Sequence, residues 1–273
     1  MSMICLFDMD GTLTPARQSM PTSVFNALKK LSDCADIGIV SGSPMNYITE
    51  QCFEFLNQFD CHPDSGQTFI MPCNGTQVYK NTGTGWKQEV ATDMREEVGH
   101  ENYRNIILSC NQALGTYLSG WPDGDIPPIT GNFMSYRGSL LNFCPIGRDA
   151  SDHDRKIFSR YDKEYGIRST LKDHLLQTLE SYGIDNISCT LGGNTSIDVY
   201  PDGWDKTYCL NHLRSYSNIT FVGDRCDPDG NDFTLYNMLS PNSYRTSTTS
   251  QTCLLYTSPS PRDVEESRMP SSA

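Results

Sequence analysis

The residues best suited to chemistry are two aspartates, Asp8 and Asp10, in the run FDMDGT at residues 7–12. The apolar run MICLF before them predicts a buried strand, and the Gly-Thr pair after them predicts a tight turn. A carboxylate at a strand end can attack phosphorus and form an aspartyl-phosphate, while a second carboxylate moves a proton at a hydroxyl oxygen. Carboxylate oxygens are also the ligands that Mg²⁺ prefers. An ordinary turn, in which Asp and Gly are favoured for local reasons, is the alternative.

Two further predicted strands end in small polar or acidic residues. DIGIVSGS ends in Ser41 and Ser43, and ITFVGD ends in Asp224. Because ligands of open parallel sheets bind beyond the carboxyl ends of the strands, we expect these side chains to share one crevice with the two aspartates. Serine hydroxyls can donate hydrogen bonds to phosphate oxygens, and a third aspartate adds a ligand for a metal ion. The pattern therefore predicts phosphoryl transfer through an aspartyl intermediate.

The order of the predicted elements indicates a parallel sheet interrupted by an insertion. Residues 1–81 alternate as β-α-β-α-β, which favours a Rossmann-like α/β core with crossover helices. Residues 82–186 combine helical and alternating patterns and predict an inserted α+β cap domain, which reaches about residue 200 if the next hairpin belongs to it. The βα pattern resumes afterwards, so residues 187–245 are assigned to the same core.

The last residues, 246–273, differ from the rest in composition. They are rich in Ser, Thr and Pro and lack sustained periodicity, which predicts a disordered tail. The run LLYTSPSPRD also resembles translated vector sequence, so the tail is a candidate artefact and carries no weight in the fold prediction. Whether these residues are native is left open.

Composition argues against several functional classes. The 273 residues carry a formal net charge of −12, which disfavours a nucleic-acid partner. There is no apolar run of about 18 residues, so we expect no membrane span, and the early Asp8 argues against a signal peptide and favours the cytoplasm. The 11 cysteines include no CxxC pair, which favours reduced, mostly buried thiols.

Several motifs carry a family resemblance. DMDGTLT, SGS, Lys206 and GDRCDPDGND resemble the four motifs of the haloacid dehalogenase superfamily. FDMDGTLTPARQ, NGTQVY, YRGSLLNFCPIGR and GGNTSIDVYPDGWDKTYCL further resemble the eukaryotic-type phosphomannomutase family, in order over residues 3–244. The resemblance implies a haloacid dehalogenase-like core with a cap, Mg²⁺ as cofactor, and a homodimer joined through the caps. It also implies cytoplasmic interconversion of mannose 6-phosphate and mannose 1-phosphate, with a hexose 1,6-bisphosphate as activator, supplying GDP-mannose for protein glycosylation.

The same resemblance gives each candidate residue a role. Asp8 matches the nucleophile, Asp10 matches the acid/base, and Asp224 matches a Mg²⁺ ligand beside Asp8 and the main chain of Asp10. The positions that match phosphate or sugar contacts are Arg17, Arg137, Arg148, Arg155, Ser196, Asp198 and Lys206. The strand-end Ser43 is added to them as a candidate phosphate contact. Supporting positions are Asp205 beside the lysine, and Asn231 and Asp232 in the acidic loop after the GD motif.

The arginines between residues 137 and 155 bear on the choice between two reactions. Guanidinium groups suit phosphate, and three of them in an otherwise acidic chain favour a second phosphate site. A mutase must hold a sugar bisphosphate in two orientations and exclude water, whereas a phosphatase needs no second site. A sugar-phosphate phosphatase of the same superfamily and a non-catalytic chimeric product remain the alternatives. The sequence leaves open the preference for mannose or glucose phosphates, a second structural cation, and the details of the dimer interface.

Overall fold

A seven-stranded sheet carries the predicted catalytic strand ends. The computed structural model describes residues 2–58, 67–121, 128–228 and 230–257. Within them the sheet has the strand order β11-β10-β1-β2-β3-β4-β5, parallel from β11 to β3 and antiparallel from there to β5. Its strands are β1 (Met3–Phe7), β2 (Asp36–Val40), β3 (Thr68–Met71), β4 (Gln77–Asn81), β5 (Trp86–Ala91), β10 (Asn218–Gly223) and β11 (Ser243–Arg245). This is the predicted α/β class with a parallel-sheet core.

A second, antiparallel sheet has four strands in the order β6-β7-β9-β8. They are β6 (Met134–Tyr136), β7 (Leu141–Phe143), β8 (Ile187–Gly192) and β9 (Ser196–Pro201). Strand β5, which the prediction placed in the insert, pairs in the seven-stranded sheet. Strands β8 and β9 pair in the inserted sheet, which corresponds to the alternative in which the insert reaches about residue 200. Alternating hydrophobicity predicted these strands but does not say which neighbour a strand pairs with. We propose that the insert runs from about residue 92 to about residue 201.

Nine α-helices and two 3₁₀ helices are present among the described residues. The α-helices are α1 (Thr22–Leu31), α2 (Met45–Gln51), α3 (Phe53–Gln58), α4 (Met94–Val98), α5 (His100–Ser119), α6 (Asp152–Tyr165), α7 (Ile167–Ser181), α8 (Phe233–Met238) and α9 (Thr249–Thr257), and the 3₁₀ helices are Cys73–Gly75 and Lys206–His212. A capping box fixes the start of α6, because the side chains of Ser151 and Asp154 each bond the other's backbone N–H. None of the described helices combines the length and apolarity that a membrane span requires.

Strand β1 shows how the core positions the site. Its alternate side chains Ile4 and Leu6 pack on one face of the sheet with Phe221 and Leu235. Phe7, on the opposite face, packs with residues of α1 and α2. Both faces of the parallel strands are therefore covered, and ligands have access at the edge formed by the carboxyl ends of the strands.

The predicted disordered tail is wrong for residues 249–257, which form α9. This helix packs against α1, and the buried Thr252 Oγ1 donates a hydrogen bond of 2.9 Å to the carbonyl of Thr12. The segment lacks an apolar stripe at helical spacing, so its sequence gave no periodic signal, and tertiary contacts stabilise it instead. The remainder of the predicted tail, 258–273, lies outside the described residues.

Candidate active site

The carboxyl ends of three adjacent parallel strands bring the predicted acidic and hydroxyl residues together. Asp8 follows β1, Ser41 follows β2 and Asp224 follows β10, and these strands are neighbours in the order β10-β1-β2. The backbone N–H of Asp8 still bonds the carbonyl of Val222, at 2.9 Å, so the sheet itself holds this residue. Gly11 has a φ of +91°, and a Cβ there would lie 2.3 Å from Asp224 Oδ2. A glycine is therefore required for the loop after β1 to approach this carboxylate.

Lys206 lies beneath this strand edge and pairs with two carboxylates. It begins a 3₁₀ helix, is 1% exposed, and its ammonium donates to Asp8 Oδ1 and to Asp232 Oδ1. The second oxygen of Asp232 accepts the backbone N–H of Arg225 at 2.9 Å. Asp205, the predicted neighbour of the lysine, instead caps the helix by accepting the N–H of Thr207 at 2.8 Å. Asp232 thus has the contact with Lys206 that the sequence reading gave to Asp205.

The electrostatics of this cluster favour an added cation. Burial, reinforced by the charge of Asp232, raises the pKa of the Asp8 carboxyl well above its ordinary value of 3.8, although Lys206 opposes the shift. Burial and Asp232 also raise the pKa of Asp224 to about 6. Burial disfavours the charged form of Lys206, but its two carboxylate partners outweigh that effect and raise its pKa. Negative charge therefore exceeds positive charge at this strand edge.

The donor set fits a hard divalent cation. Asp8, Asp224 and Asp232 offer carboxylate oxygens that all lie within 4.8 Å of one another. Asp224 Oδ1 is buried and has no hydrogen-bond partner among the described residues, which is the state of an oxygen that a cation would satisfy. Oxygen-only ligands suit Mg²⁺. The carboxylate of Asp10 lies outside this group and accepts the backbone N–H of Arg17 at 3.3 Å.

Strands β7 and β9 form the facing wall with a buried polar network. Asn142 lies opposite Asp198 in the strand register, and its side-chain amide donates to Ser196 Oγ at 2.9 Å and to Asp198 Oδ1. Its amide oxygen accepts from Arg148. Ser196 and Asp198 were predicted from the sequence, whereas Asn142 was not. The signal that could have identified it is the cross-strand alternation that places these three side chains on one face of the sheet.

Two of the predicted arginines reach from the insert to the core. The Arg148 guanidinium donates to the Tyr47 hydroxyl at 3.0 Å and lies 5.5 Å from the centre of that ring. Arg137 donates to the carbonyl of Gly42 at 2.7 Å, and its Nε is buried without a hydrogen-bond partner in the described part of the chain. Burial lowers the pKa of Arg137. Tyr47, another residue the sequence reading missed, is thus the core partner of Arg148.

The other two arginines differ in how their guanidinium groups are used. Arg155 donates to the carbonyl of Ala150 at 3.0 Å, to Thr195 Oγ1 at 2.7 Å and to the carbonyl of Arg148. These three contacts hold the loop that carries Arg148. The side chain of Arg17 is 53% exposed and makes a long contact of 3.4 Å with Asp152. Exposed pairs of this kind contribute little energy, so Arg17 can readily move to a ligand.

A cleft of about 550 Å³ lies between the two walls. The predicted site residues that line it are Asp8, Asp10, Arg17, Ser43, Arg137, Arg148, Arg155, Ser196, Asp198, Asp224 and Asn231. Lys206 and Asp232 are buried beside the cleft, and Lys206 bonds both Asp8 and Asp232. Asp205 lines a separate pocket. The arrangement places a buried, lysine-paired carboxylate at one wall and arginines at the other, which suits a substrate with two anionic groups.

Comparison with solved structures agrees with the fold. Solved structures with the same fold include the IMP-bound, N-terminally truncated IMP-nucleotidase of Plasmodium falciparum, with a TM-score of 0.66 at 14% identity over 93% of this chain and 68% of that one. A haloacid dehalogenase-like hydrolase from Bacteroides thetaiotaomicron has a TM-score of 0.52 at 14% identity, covering 92% of both chains.

Relatives found by sequence have a higher identity to this chain than these structures do. The chain is 37% identical to phosphomannomutase 2 of Dictyostelium discoideum over 86% of each chain, and 34% identical to the phosphomannomutase of Saccharomyces cerevisiae over 85% of this chain and 84% of that one. The sequence model of the family described as eukaryotic phosphomannomutase matches residues 24–255. The chain therefore belongs to the eukaryotic phosphomannomutase family.

Proposed function

We propose that this protein interconverts mannose 6-phosphate and mannose 1-phosphate. Its family and the names of its relatives support this reaction. The structural observation that carries the proposal is a single cleft with Asp8 at one wall and Arg137 and Arg148 at the other. A phosphatase needs only the first wall, whereas a mutase also has to hold the phosphate that is not being transferred.

The proposed transfer uses the two aspartates that line the cleft, Asp8 and Asp10. A carboxylate oxygen of Asp8 attacks phosphorus of a hexose 1,6-bisphosphate, and the bond from phosphorus to the sugar oxygen breaks while Asp10 gives that oxygen a proton. In the return step, a hexose monophosphate is bound with its free hydroxyl toward Asp8. Asp10 takes the proton of that hydroxyl, its oxygen bonds to phosphorus, the bond to the Asp8 oxygen breaks, and a hexose 1,6-bisphosphate is formed again. Lys206 would hold Asp8 in place through its ammonium group, and Ser43, which lines the cleft, would donate to the phosphoryl oxygens.

Mg²⁺ is proposed as the cofactor. Asp8 and Asp224 would hold it through their carboxylates and Asp10 through its main chain. Asp232, whose oxygens bond Lys206 and the N–H of Arg225, would contribute negative charge. The bound ion would supply positive charge to the transferring phosphoryl group. The unpartnered Asp224 Oδ1 is the observation that supports this choice.

Four further parts of the proposal rest on the family resemblance. A hexose 1,6-bisphosphate would act as activator, because it phosphorylates Asp8 and leaves a hexose monophosphate behind. The active species would be a homodimer joined through the inserted sheet domain. The enzyme would act in the cytoplasm, where its product would supply GDP-mannose for protein glycosylation.

The test measures isomer and free phosphate in the same reaction. Purified protein is incubated with mannose 1-phosphate, Mg²⁺ and a catalytic amount of glucose 1,6-bisphosphate, and mannose 6-phosphate and inorganic phosphate are followed together. We expect mannose 6-phosphate with little inorganic phosphate. Phosphate release without isomer would assign the chain to the sugar-phosphate phosphatases, and a folded protein that forms neither product would be non-catalytic.

Two variants test the two walls of the cleft one at a time. Asp8→Asn should abolish both products, because the amide oxygen is too weak a nucleophile to accept the phosphoryl group. Arg148→Ala should slow isomerisation far more than phosphorylation of Asp8 by the bisphosphate. Arg160→Ala, an exposed arginine on the same helix as Arg155, is the control and should behave as the wild type. Equal losses in both steps for Arg148→Ala would remove its role in holding the distal phosphate.

A further inference from the structure

The carbonyl of Gly193 accepts hydrogen bonds from two arginines on opposite sides of the cleft. Arg168, at the start of α7 in the insert, donates from 3.1 Å, and Arg225, in the core loop after β10, donates from 2.6 Å. We propose that Arg225 is a positioning residue that ties the β8–β9 turn to the loop carrying Asp224, and so limits access of water to phosphorylated Asp8. The effect on catalysis rests on the proposed function, whereas the tie itself does not.

On the core side, the backbone of Arg225 is held at the reaction centre. It directly follows Asp224, its N–H donates to Asp232 Oδ2 at 2.9 Å, and its carbonyl accepts the N–H of Asp232 at 3.2 Å. Asp232 is fully buried and pairs with Lys206. The base of the Arg225 side chain is therefore fixed relative to the nucleophile, and the guanidinium that reaches Gly193 extends from a rigid support.

On the insert side, the turn is equally well held. The Arg168 guanidinium, paired with Asp162 at 2.7 Å, also faces the carbonyls of Gly192 and Ser196 at 3.5 and 3.3 Å. Arg155 bonds Thr195 Oγ1 within the same turn. A turn fixed at both ends moves together with its sheet. A bond from Arg225 to this turn therefore acts on the whole wall that carries the polar network.

The position of the tie gives it a role in excluding water. Arg225, Gly193 and Asp224 line the same cleft, so the bond from Arg225 to Gly193 joins the two walls of that cleft beside Asp224. Hydrolysis competes with mutase chemistry at one step: a water oxygen bonds to phosphorus, the bond to the Asp8 oxygen breaks, Asp10 takes the proton and inorganic phosphate leaves. A wall that opens more often gives water more access to this step.

The test uses Arg225→Ala, Arg225→Lys and a control at the end of the neighbouring strand β11, Arg245→Ala. Arg245 forms an exposed ion pair with Asp227 and, among the residues that the structure describes, makes no hydrogen bond to the insert, so the control removes an arginine without removing the tie. We expect Arg225→Ala to raise the ratio of inorganic phosphate to mannose 6-phosphate about tenfold, the scale of one lost charge-assisted hydrogen bond. Arg225→Lys should keep most of the wild-type ratio, and Arg245→Ala all of it.

A second measurement decides the tie whether or not the protein isomerises mannose phosphates. Hydrogen exchange of the amides in residues 192–196 should be about tenfold faster in Arg225→Ala than in wild type and unchanged in Arg245→Ala, with no substrate present. Unchanged exchange in Arg225→Ala would overturn the tie, and faster exchange with an unchanged product ratio would overturn its role in excluding water. A raised KM with an unchanged product ratio would instead make Arg225 a substrate contact. Failure of the wild type to isomerise would refute the proposed function, and the exchange result would still stand.

Discussion

Replacement of Lys206 by methionine tests the buried cluster at the nucleophile most directly. Methionine keeps an unbranched chain of similar length and removes the charge, so packing around the site changes little. In the wild type, the Lys206 ammonium pairs with Asp8 and Asp232, whose side chains are 6% and 0% exposed. Without it, the two buried carboxylates lose the ammonium that pairs with both of them. Lys206→Met should therefore destabilise the metal-free protein and abolish phosphorylation of Asp8.

The size of the loss follows from the geometry of the pairs. Removing one partner of a buried ion pair costs about 3–5 kcal/mol, because the other charge remains buried without a partner. Since one lysine serves two carboxylates here, we expect a loss near the upper end, about 4–5 kcal/mol. Domains of this kind have total unfolding free energies of about 5–15 kcal/mol, so the variant should unfold at much lower urea concentration.

The unfolding free energy of Lys206→Met should depend on pH, in a direction set by the pKa of Asp8. Burial and Asp232 already raise the pKa of Asp8 above 3.8, and loss of Lys206 raises it further. The folded variant then binds protons that the unfolded chain has released, so its stability falls as pH rises between 3.8 and the raised pKa. The difference between variant and wild type should thus be largest near neutral pH and shrink as the pH is lowered toward 4.

Urea unfolding with a chelator present, at about pH 7 and about pH 5, measures both effects. Lys87→Met, which removes an exposed lysine from β5, is the matched control and should change the unfolding free energy by less than about 0.5 kcal/mol. Lys206→Met combined with Asp232→Asn should regain part of the loss. A loss below about 1 kcal/mol at neutral pH, or one that does not depend on pH, would refute this account of the cluster.

Three further predictions concern other parts of the molecule. Arg168→Met should lower the unfolding free energy by about 3 kcal/mol in urea, because it removes the charged partner of the largely buried Asp162 and one donor to the carbonyls of the β8–β9 turn. Thr252→Val should cost about 1–2 kcal/mol in the same assay, because the carbonyl of Thr12 loses its donor. Burial lowers the pKa of His212 from its ordinary 6.5, so its contribution to stability is complete above that pH and is lost as pH falls below it. His212→Gln should flatten the dependence of the urea midpoint on pH across this range.

Each of these variants has a control or a contradicting result. Arg245→Ala, which breaks an exposed ion pair, should cost less than about 1 kcal/mol, and a similar cost for Arg168→Met would contradict the buried contacts. Ser250→Ala, an exposed position on α9, should be neutral, and equal costs there and at Thr252 would point to helix propensity instead of the buried bond. An unchanged pH profile in His212→Gln would exclude a contribution from this ring.

Much of the catalytic half of the molecule could be predicted from the sequence. Asp8, Ser43 and Asp224 follow apolar runs that the period of a strand identifies, and the parallel arrangement requires the ends of neighbouring strands to meet. The same reasoning could not place α9, since its stability comes from contacts with α1 and the loop at Thr12 and not from a pattern in its own residues. Nor could it choose the partner of Lys206, because Asp205 is adjacent in sequence and Asp232 is 26 residues away.

The arginines of the insert show that residue type alone does not determine the role of a side chain. Arg148 and Arg155 are seven residues apart, line the same cleft and looked equivalent as phosphate ligands. Arg155 donates to three acceptors of the protein, whereas Arg148 bonds two polar side chains, Asn142 and Tyr47. If Arg155 bound phosphate, it would have to break hydrogen bonds that hold the backbone and the β8–β9 turn. Arg148 would break only its bonds to two side chains, which costs less structure. We therefore infer that Arg148 contacts the substrate and that Arg155 acts by holding the loop on which Arg148 sits.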